Sequence, residues 1–229
     1  MKILSGGAAA AVVRGVQDEF TQRTGASIEG TFSAVGQMRD VLLGGEPCDL
    51  VILTRPLIEG LIASGHVQPG SARPLGMVKT GVAVRSGDPH PVIGTPEQLK
   101  QALEASTGIY FPDPEKATAG IHFMRVLTAL GLHETCRAAF RTFPNGATAM
   151  GAMADGGEPG LIGCTQVTEI NYTPGVELVG CLPPEFEMST EYTLGICTNT
   201  KVPEQARVLS ELLTGSASGD IRRRGGFEF

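Results

Sequence analysis

The sequence predicts an α/β protein of two Rossmann-like lobes joined by a double crossover. Three observations carry this expectation. A strand, a glycine turn and a helix recur three times in the first 65 residues, the order that builds a parallel sheet. A longer strand, Gly76–Val84, then opens a second series of such units. Finally, strands near Val176–Leu182 and Tyr192–Thr198 precede a closing helix from Pro203 that returns to the first lobe. The expected division is 1–80 with 190–229 for the first lobe and 81–189 for the second.

Each element has a local reason. Lys2-Ile3-Leu4 is a short apolar strand, and Ser5-Gly6-Gly7 turns it into a helix with Val12, Val13, Val16 and Phe20 on one face, ending at Gly25. Ser27–Phe32 alternates as a strand. Ser33-Ala34-Val35-Gly36 then leads into a helix carrying Met38, Val41 and Leu42. Cys48–Leu53 is a continuous apolar run, the mark of a strand covered on both faces, and Pro56 opens the next helix. In the second lobe, Thr95-Pro96-Glu97-Gln98 joins an N-cap, a proline at the first helical position and a glutamine three residues after the cap. Ile109-Tyr110-Phe111 is a strand that ends at Tyr110-Phe111, Pro112–Thr118 a loop, and Ala119–Leu130 a helix. A helix over Ala147–Ala154, the strand Leu161-Ile162-Gly163 and a short helix from Thr165 to Ile170 follow.

Composition removes several function classes. The 229 residues carry a net charge of −6 without any Lys/Arg stripe, which argues against nucleic-acid binding. The one basic cluster, Arg222-Arg223-Arg224, is expected to be a solvated helix end. No stretch approaches the roughly 20 apolar residues of a membrane span. Five widely spaced cysteines with no CxxC pair signal neither a zinc site nor a disulfide framework, and suit a reducing compartment. With no basic, apolar leader at the start, the expected location is cytoplasmic, or periplasmic if a signal peptide was trimmed. The phosphate loop, G-x-G-x-x-G and G-x-S-x-G motifs are absent, so nucleotide binding and serine hydrolysis have no support. No metal or cofactor is expected.

Three turns put small or hydroxylated residues at a strand's carboxyl end just before a helix: Ser5-Gly6-Gly7, Ser33-Ala34-Val35-Gly36 and Thr118-Ala119-Gly120. Open parallel sheets bind ligands at this edge, and helix N-termini offer unpaired N–H groups to anions. Each turn alone is also consistent with an ordinary N-cap. Together they point to a small anion.

The segment K-I-L-S-G-G-A-A-A-A, the run Gly44-Gly45-Glu46-Pro47-Cys48-Asp49-Leu50-Val51-Ile52, Pro112-Asp113-Pro114 with Ala119-Gly120, and Gly225-Gly226-Phe227-Glu228 resemble the type II periplasmic binding proteins of the molybdate-binding branch. The order of elements matches over essentially the whole chain. The resemblance implies two lobes closing over a tetrahedral oxyanion or a small carboxylate. It carries over to Ser5, Gly6 and Gly7, to Ser33, Ala34 and Gly36, and to Thr118, Ala119 and Gly120. The second loop departs from the Ser-Ser-Gly pattern of the molybdate carriers, and L-S-G-G with G-E-P-x-D-L-V-I is closer to a sub-branch that contains aconitate isomerase. That implies a small tricarboxylate and a 1,3-proton shift.

Such chemistry needs a base, donors for the developing charge, and a partner for the carboxylates. Arg55, after Leu53-Thr54, is the best-placed cation, ahead of Arg39 and Lys79. His122 is the candidate base, with Tyr110 a second catalytic candidate and Gln166 a neutral donor; Glu187 and Glu191 qualify if buried. The expected function is an isomerase for an unsaturated di- or tricarboxylate such as aconitate. The alternative is a non-catalytic receptor delivering molybdate or another oxyanion to an ABC permease.

Overall fold

The computed structural model describes residues 1–229. They divide into two compact units, Met1–Val78 with Thr190–Phe229, and Lys79–Ser189.

The chain opens with β1 (Lys2–Gly6), a 3-10 turn at Gly7–Ala9, α1 (Ala10–Gly15), α2 (Gln17–Thr24), β2 (Glu29–Ser33), α3 (Val35–Leu43), β3 (Leu50–Thr54) and α4 (Arg55–Ala63). The single helix expected through Val12 and Phe20 is therefore two. The break falls at Gly15-Val16, a glycine followed by a β-branched residue, two poor helix formers in succession. Next, β4 (Arg73–Arg85) leads into α5 (Pro96–Glu104), β5 (Gly108–Pro112), α6 (Thr118–Ala129), β6 (Phe140–Phe143), α7 (Gly146–Ala154), β7 (Leu161–Gln166), α8 (Val167–Asn171) and β8 (Val176–Cys181). The chain then runs through β9 (Ser189–Ile196), α9 (Pro203–Thr214), α10 (Gly219–Gly225) and β10 (Phe227–Glu228).

In the first unit β1 lies between β2 and β3, parallel to both, and β9 runs antiparallel to β3. Every residue of β3 is buried, as its unbroken apolar run requires. β10 pairs antiparallel with the first half of β4. In the second unit β5 lies parallel to both β6 and β7, while the second half of β4 is antiparallel to β7 and β8. A core of Leu99, Leu103, Ile109, Phe111, Phe123, Leu127 and Ile162 fills one side of this sheet, and a second cluster forms around Ala149, Met150, Met153 and Leu161.

Three expectations are corrected. β7 continues through Thr165 and Gln166 before α8 begins, because Thr80 and Gly81 of β4 extend the ladder opposite them. β6 was not foreseen: it has four residues, two of them Arg141 and Thr142, and exists by pairing with β5. In the basic cluster Arg223 and Arg224 are exposed, but Arg222 is buried. It donates to the carbonyls of Leu75 (2.8 Å), Thr214 (3.0 Å) and Gly215 (3.0 Å), and lies 4.4 Å from the centre of the Phe229 ring. These are carbonyls left over at strand and helix ends, and a guanidinium has enough forked donors to satisfy several at once.

Candidate functional site

In the first unit the parallel strands β1, β2 and β3 all end at one edge, and register brings the predicted residues together there. Gly6 lies opposite Ser33, Ser5 opposite Ile52, and Thr54 opposite Tyr192. A Cβ on Gly6 would sit 2.7 Å from Val35 Cγ1 and 3.0 Å from Tyr192 Cε1, so only glycine permits this convergence. Ser5 and Ser33 are not N-caps. The Ser5 hydroxyl donates to its neighbour's carbonyl, Gly6 O (2.9 Å), and Ser33 donates to Gln37 Oε1 (2.7 Å). The 3-10 turn at Gly7, α3 after Ala34 and α4 after Thr54 all begin without a side-chain cap. Gly36 lies in the first turn of α3. This contrasts with α5 and α7, where Thr95 and Asn145 accept from the third backbone N–H. Side chains that would normally occupy these donors are thus absent at the candidate turns.

Arg55 stands at the first position of α4, with 60% of its side chain exposed. Its guanidinium donates to Glu59 Oε1 (2.8 Å) and approaches Glu191 Oε2 at 3.4 Å, and these hydrogen bonds raise its pKa. Glu191 also accepts from Thr193 Oγ1. Arg39 pairs with its neighbour Asp40 at 2.7 Å.

In the second unit the carboxyl ends of β5, β6 and β7 form the corresponding edge. Asp113 fixes the loop after β5 by accepting from the N–H groups of Glu115 and Lys116, and Ala117 N–H donates to its carbonyl. Thr118, Ala119 and Gly120 make the first turn of α6, again uncapped. A Cβ on Gly120 would lie 2.3 Å from the carbonyls of Pro112 and Asp113, so glycine is obligatory here too. His122, one turn in, has Nε2 2.7 Å from Phe186 O. A carbonyl only accepts, so Nε2 carries a proton, and the tautomer this bond selects has its lone pair at Nδ1. Lys79 Nζ lies 3.2 Å from Glu187 Oε2.

Gln166 ends β7, 2% exposed, opposite Thr80 in the ladder. Neither its amide nitrogen nor its amide oxygen has a hydrogen-bond partner in the protein, and the buried hydroxyls of Thr80 and Thr168 are likewise unpartnered. An unpaired buried amide costs about 1–3 kcal/mol, and folds rarely retain one without use. Just beyond it is Glu169, which sequence reasoning missed. Its buried carboxylate accepts from Thr165 Oγ1 (2.6 Å) and from the backbone N–H groups of Gly146, Ala147 and Gln166. Burial raises its pKa against the pull of those four donors. The available signal was a charged residue four positions after Thr165, between Val167 and Ile170 in a short turn that follows an apolar strand. Glu169 fills the N-terminus of α7 with an internal anion and holds the Gln166 backbone in place.

The structure groups Ser5, Gly6, Gly7, Ser33, Ala34, Gly36 and Arg55 on the first unit's edge, and Thr118, Ala119, Gly120, His122 and Gln166 on the second's. Tyr110 lies elsewhere. β5 runs on to Pro112, so Tyr110 is mid-strand, not at the strand's end as expected. Its ring stacks on Phe143 at 5.8 Å and packs with the Met150–Leu161 cluster.

A family model described as a bacterial extracellular solute-binding protein matches residues 1–228. The chain belongs to this family. Among its relatives, an aconitate isomerase from Pseudomonas sp is 29% identical over 221 residues, which is 93% of this chain and 81% of the relative. The periplasmic molybdate-binding protein of Azotobacter vinelandii superposes with a TM-score of 0.83 at 17% identity, covering 100% of this chain and 99% of that one. The sulfate-binding protein SubI of Mycobacterium tuberculosis H37Rv gives 0.74 at 15% identity, covering 99% and 85%. At such identities the likeness is one of fold, that of the type II periplasmic binding proteins. No helix is long and apolar enough to cross a membrane.

Proposed function

We propose that the protein binds a small unsaturated di- or tricarboxylate and catalyses a 1,3-proton shift on it, with aconitate as the substrate class. The observation that carries this reading is Gln166, a buried amide with a donor and an acceptor left for a ligand, at the edge where uncapped N–H groups of α6 also emerge. The relative at 29% identity supports the choice of reaction.

In this mechanism His122 Nδ1 removes a proton from the substrate's allylic carbon. The electron pair spreads through the double bond into the adjacent carboxylate, where the Gln166 amide and the N–H groups of Thr118, Ala119 and Gly120 stabilise the added charge. The proton returns from His122 to the far carbon of the original double bond, completing the shift with no net gain or loss. The hydrogen bond to Phe186 O keeps the ring in the tautomer a base requires. The placement of Tyr110 supports a packing role for that residue. We assign the activity to the cytoplasm, on the strength of five free thiols.

One observation favours a second reading, a receptor passing an oxyanion to an ABC permease. Arg55 is already engaged by Glu59 and Glu191, so the remaining donors are mostly neutral. Titration calorimetry with trans-aconitate and with molybdate separates the two. The isomerase reading expects aconitate to bind and Gln166→Met to weaken it at least tenfold. Tight molybdate binding, with no binding of aconitate, would overturn it.

A further inference from the structure

At the opposite edge of the first unit's sheet is a cavity of about 400 Å³ that the proposed reaction does not use. Lys2, Cys48, Asp49, His66, Cys197 and Lys201 are among the residues lining it. Cys48 lies two residues before β3 and Cys197 one residue beyond β9. These strands run antiparallel with Leu50 opposite Ile196, and Cys197 N–H donates to Asp49 O at 2.9 Å. Continued past its last pair, this register sets Cys197 opposite Asp49 and Cys48 one step further along, so the two cysteines lie diagonally across neighbouring chain segments at the mouth of one cavity. Both line the same cavity, near enough for the Cys48 thiol to perturb that of Cys197, and the Cys48 thiol donates to Leu50 O at 3.2 Å. Asp49, between Cys48 and the strand, is fixed in turn: its carboxylate accepts from Lys2 N–H (2.8 Å) and Thr200 Oγ1 (2.7 Å). Both cysteines sit on backbone that has little freedom to move apart. The other three are distributed singly, Cys136 half-buried beside α6, Cys164 within β7 and Cys181 at the end of β8.

We propose that Cys48 and Cys197 form a modification site, a dithiol that a small disulfide of the glutathione class closes into an intrachain cross-link. The Cys48 sulfur, the less buried of the two, attacks one sulfur of the reagent as a thiolate and releases the other half as a thiol. The Cys197 thiolate then attacks Cys48 Sγ in the mixed disulfide and releases the second half. Two protein thiols are oxidised, one small disulfide is reduced to two thiols, and the two protons pass to them. In a reducing compartment the pair stays open. Under oxidation it closes a loop from residue 48 to residue 197, which encloses the whole inserted second unit between two ends joined in the first. The neighbouring Cys48, then burial, then the Asp49 charge push the Cys197 thiol well up, so closure quickens as pH rises.

The test treats the folded full chain with oxidised glutathione, counts free thiols in denaturant, and maps the non-reduced peptides by mass spectrometry. The expected result is a fall from five thiols to three, a single peptide joining Cys48 to Cys197, and a melting temperature raised by several degrees that returns to its starting value on reduction. Cys48→Ser should keep all four of its thiols under the same treatment. If that variant does not fold, the wild-type peptide map decides alone. Five thiols surviving, a stable glutathione adduct on Cys48, or a cross-link to Cys136, Cys164 or Cys181 would each overturn the proposal.

Discussion

Replacing Gln166 with methionine should change stability and binding in opposite directions. The Gln166 side chain is buried with both amide atoms unpartnered, at a typical cost of about 1–3 kcal/mol. Methionine has nearly the same length and volume, and repacking such a near-isosteric swap costs under about 1.5 kcal/mol. The ligand-free Gln166→Met protein should thus be more stable by about 1–2 kcal/mol. For a chain of this size that raises the melting temperature by about 2–8 °C. The same substitution removes a hydrogen bond to a charged ligand group, worth about 1.5–3 kcal/mol, so aconitate affinity should fall by about 10- to 150-fold. Thermal denaturation without ligand and calorimetric titration measure the two effects separately. A variant that is destabilised, yet binds as wild type, would show that the amide serves the fold, and the site assignment would fail.

Other perturbations test the surrounding structure. Gly6→Ala places a methyl group against Val35 and Tyr192, and at φ −59° the backbone tolerates alanine, so the effect is steric. A loss of about 1–3 kcal/mol in urea denaturation is expected, with weaker ligand binding alongside it. Arg222→Ala leaves the carbonyls of Leu75, Thr214 and Gly215 without their donor and should cost about 3 kcal/mol or more, whereas Arg223→Ala should change stability by less than about 0.5 kcal/mol. Glu169 has a folded pKa raised above its ordinary value of 4.5, so the folded state binds the proton more tightly than the unfolded chain does. Its contribution is fully present below pH 4.5 and declines as pH rises through the folded value. The stability of wild type relative to Glu169→Gln, from denaturation curves at several pH values, should fall with rising pH over that window; a rise would contradict the assigned environment.

The repeated strand, turn and helix units of the first 65 residues were legible because each step is local: apolar runs set the strands, glycines the turns, and Pro56 and Pro96 the helix starts. The turns themselves were also readable, since Ser5-Gly6-Gly7 and Thr118-Ala119-Gly120 stand at strand ends whatever surrounds them. What the sequence did not reveal depends on partners distant in the chain. β6 exists because β5 pairs with it, Arg222 is buried because three carbonyls converge on it, and Tyr110 is turned into packing by Phe143. The orphaned amide of Gln166 and the four donors around Glu169 are properties of a folded neighbourhood. Single residue types in a row of letters do not specify them.

Proton NMR of the protein with trans-aconitate in deuterium oxide tests the proposed chemistry most directly. If His122 carries a proton between the two carbons, deuterium enters the substrate, cis-aconitate signals grow with time, and His122→Gln stops both while leaving calorimetric binding in place. A spectrum that stays unchanged with aconitate demonstrably bound would contradict the isomerase reading and leave the protein a receptor.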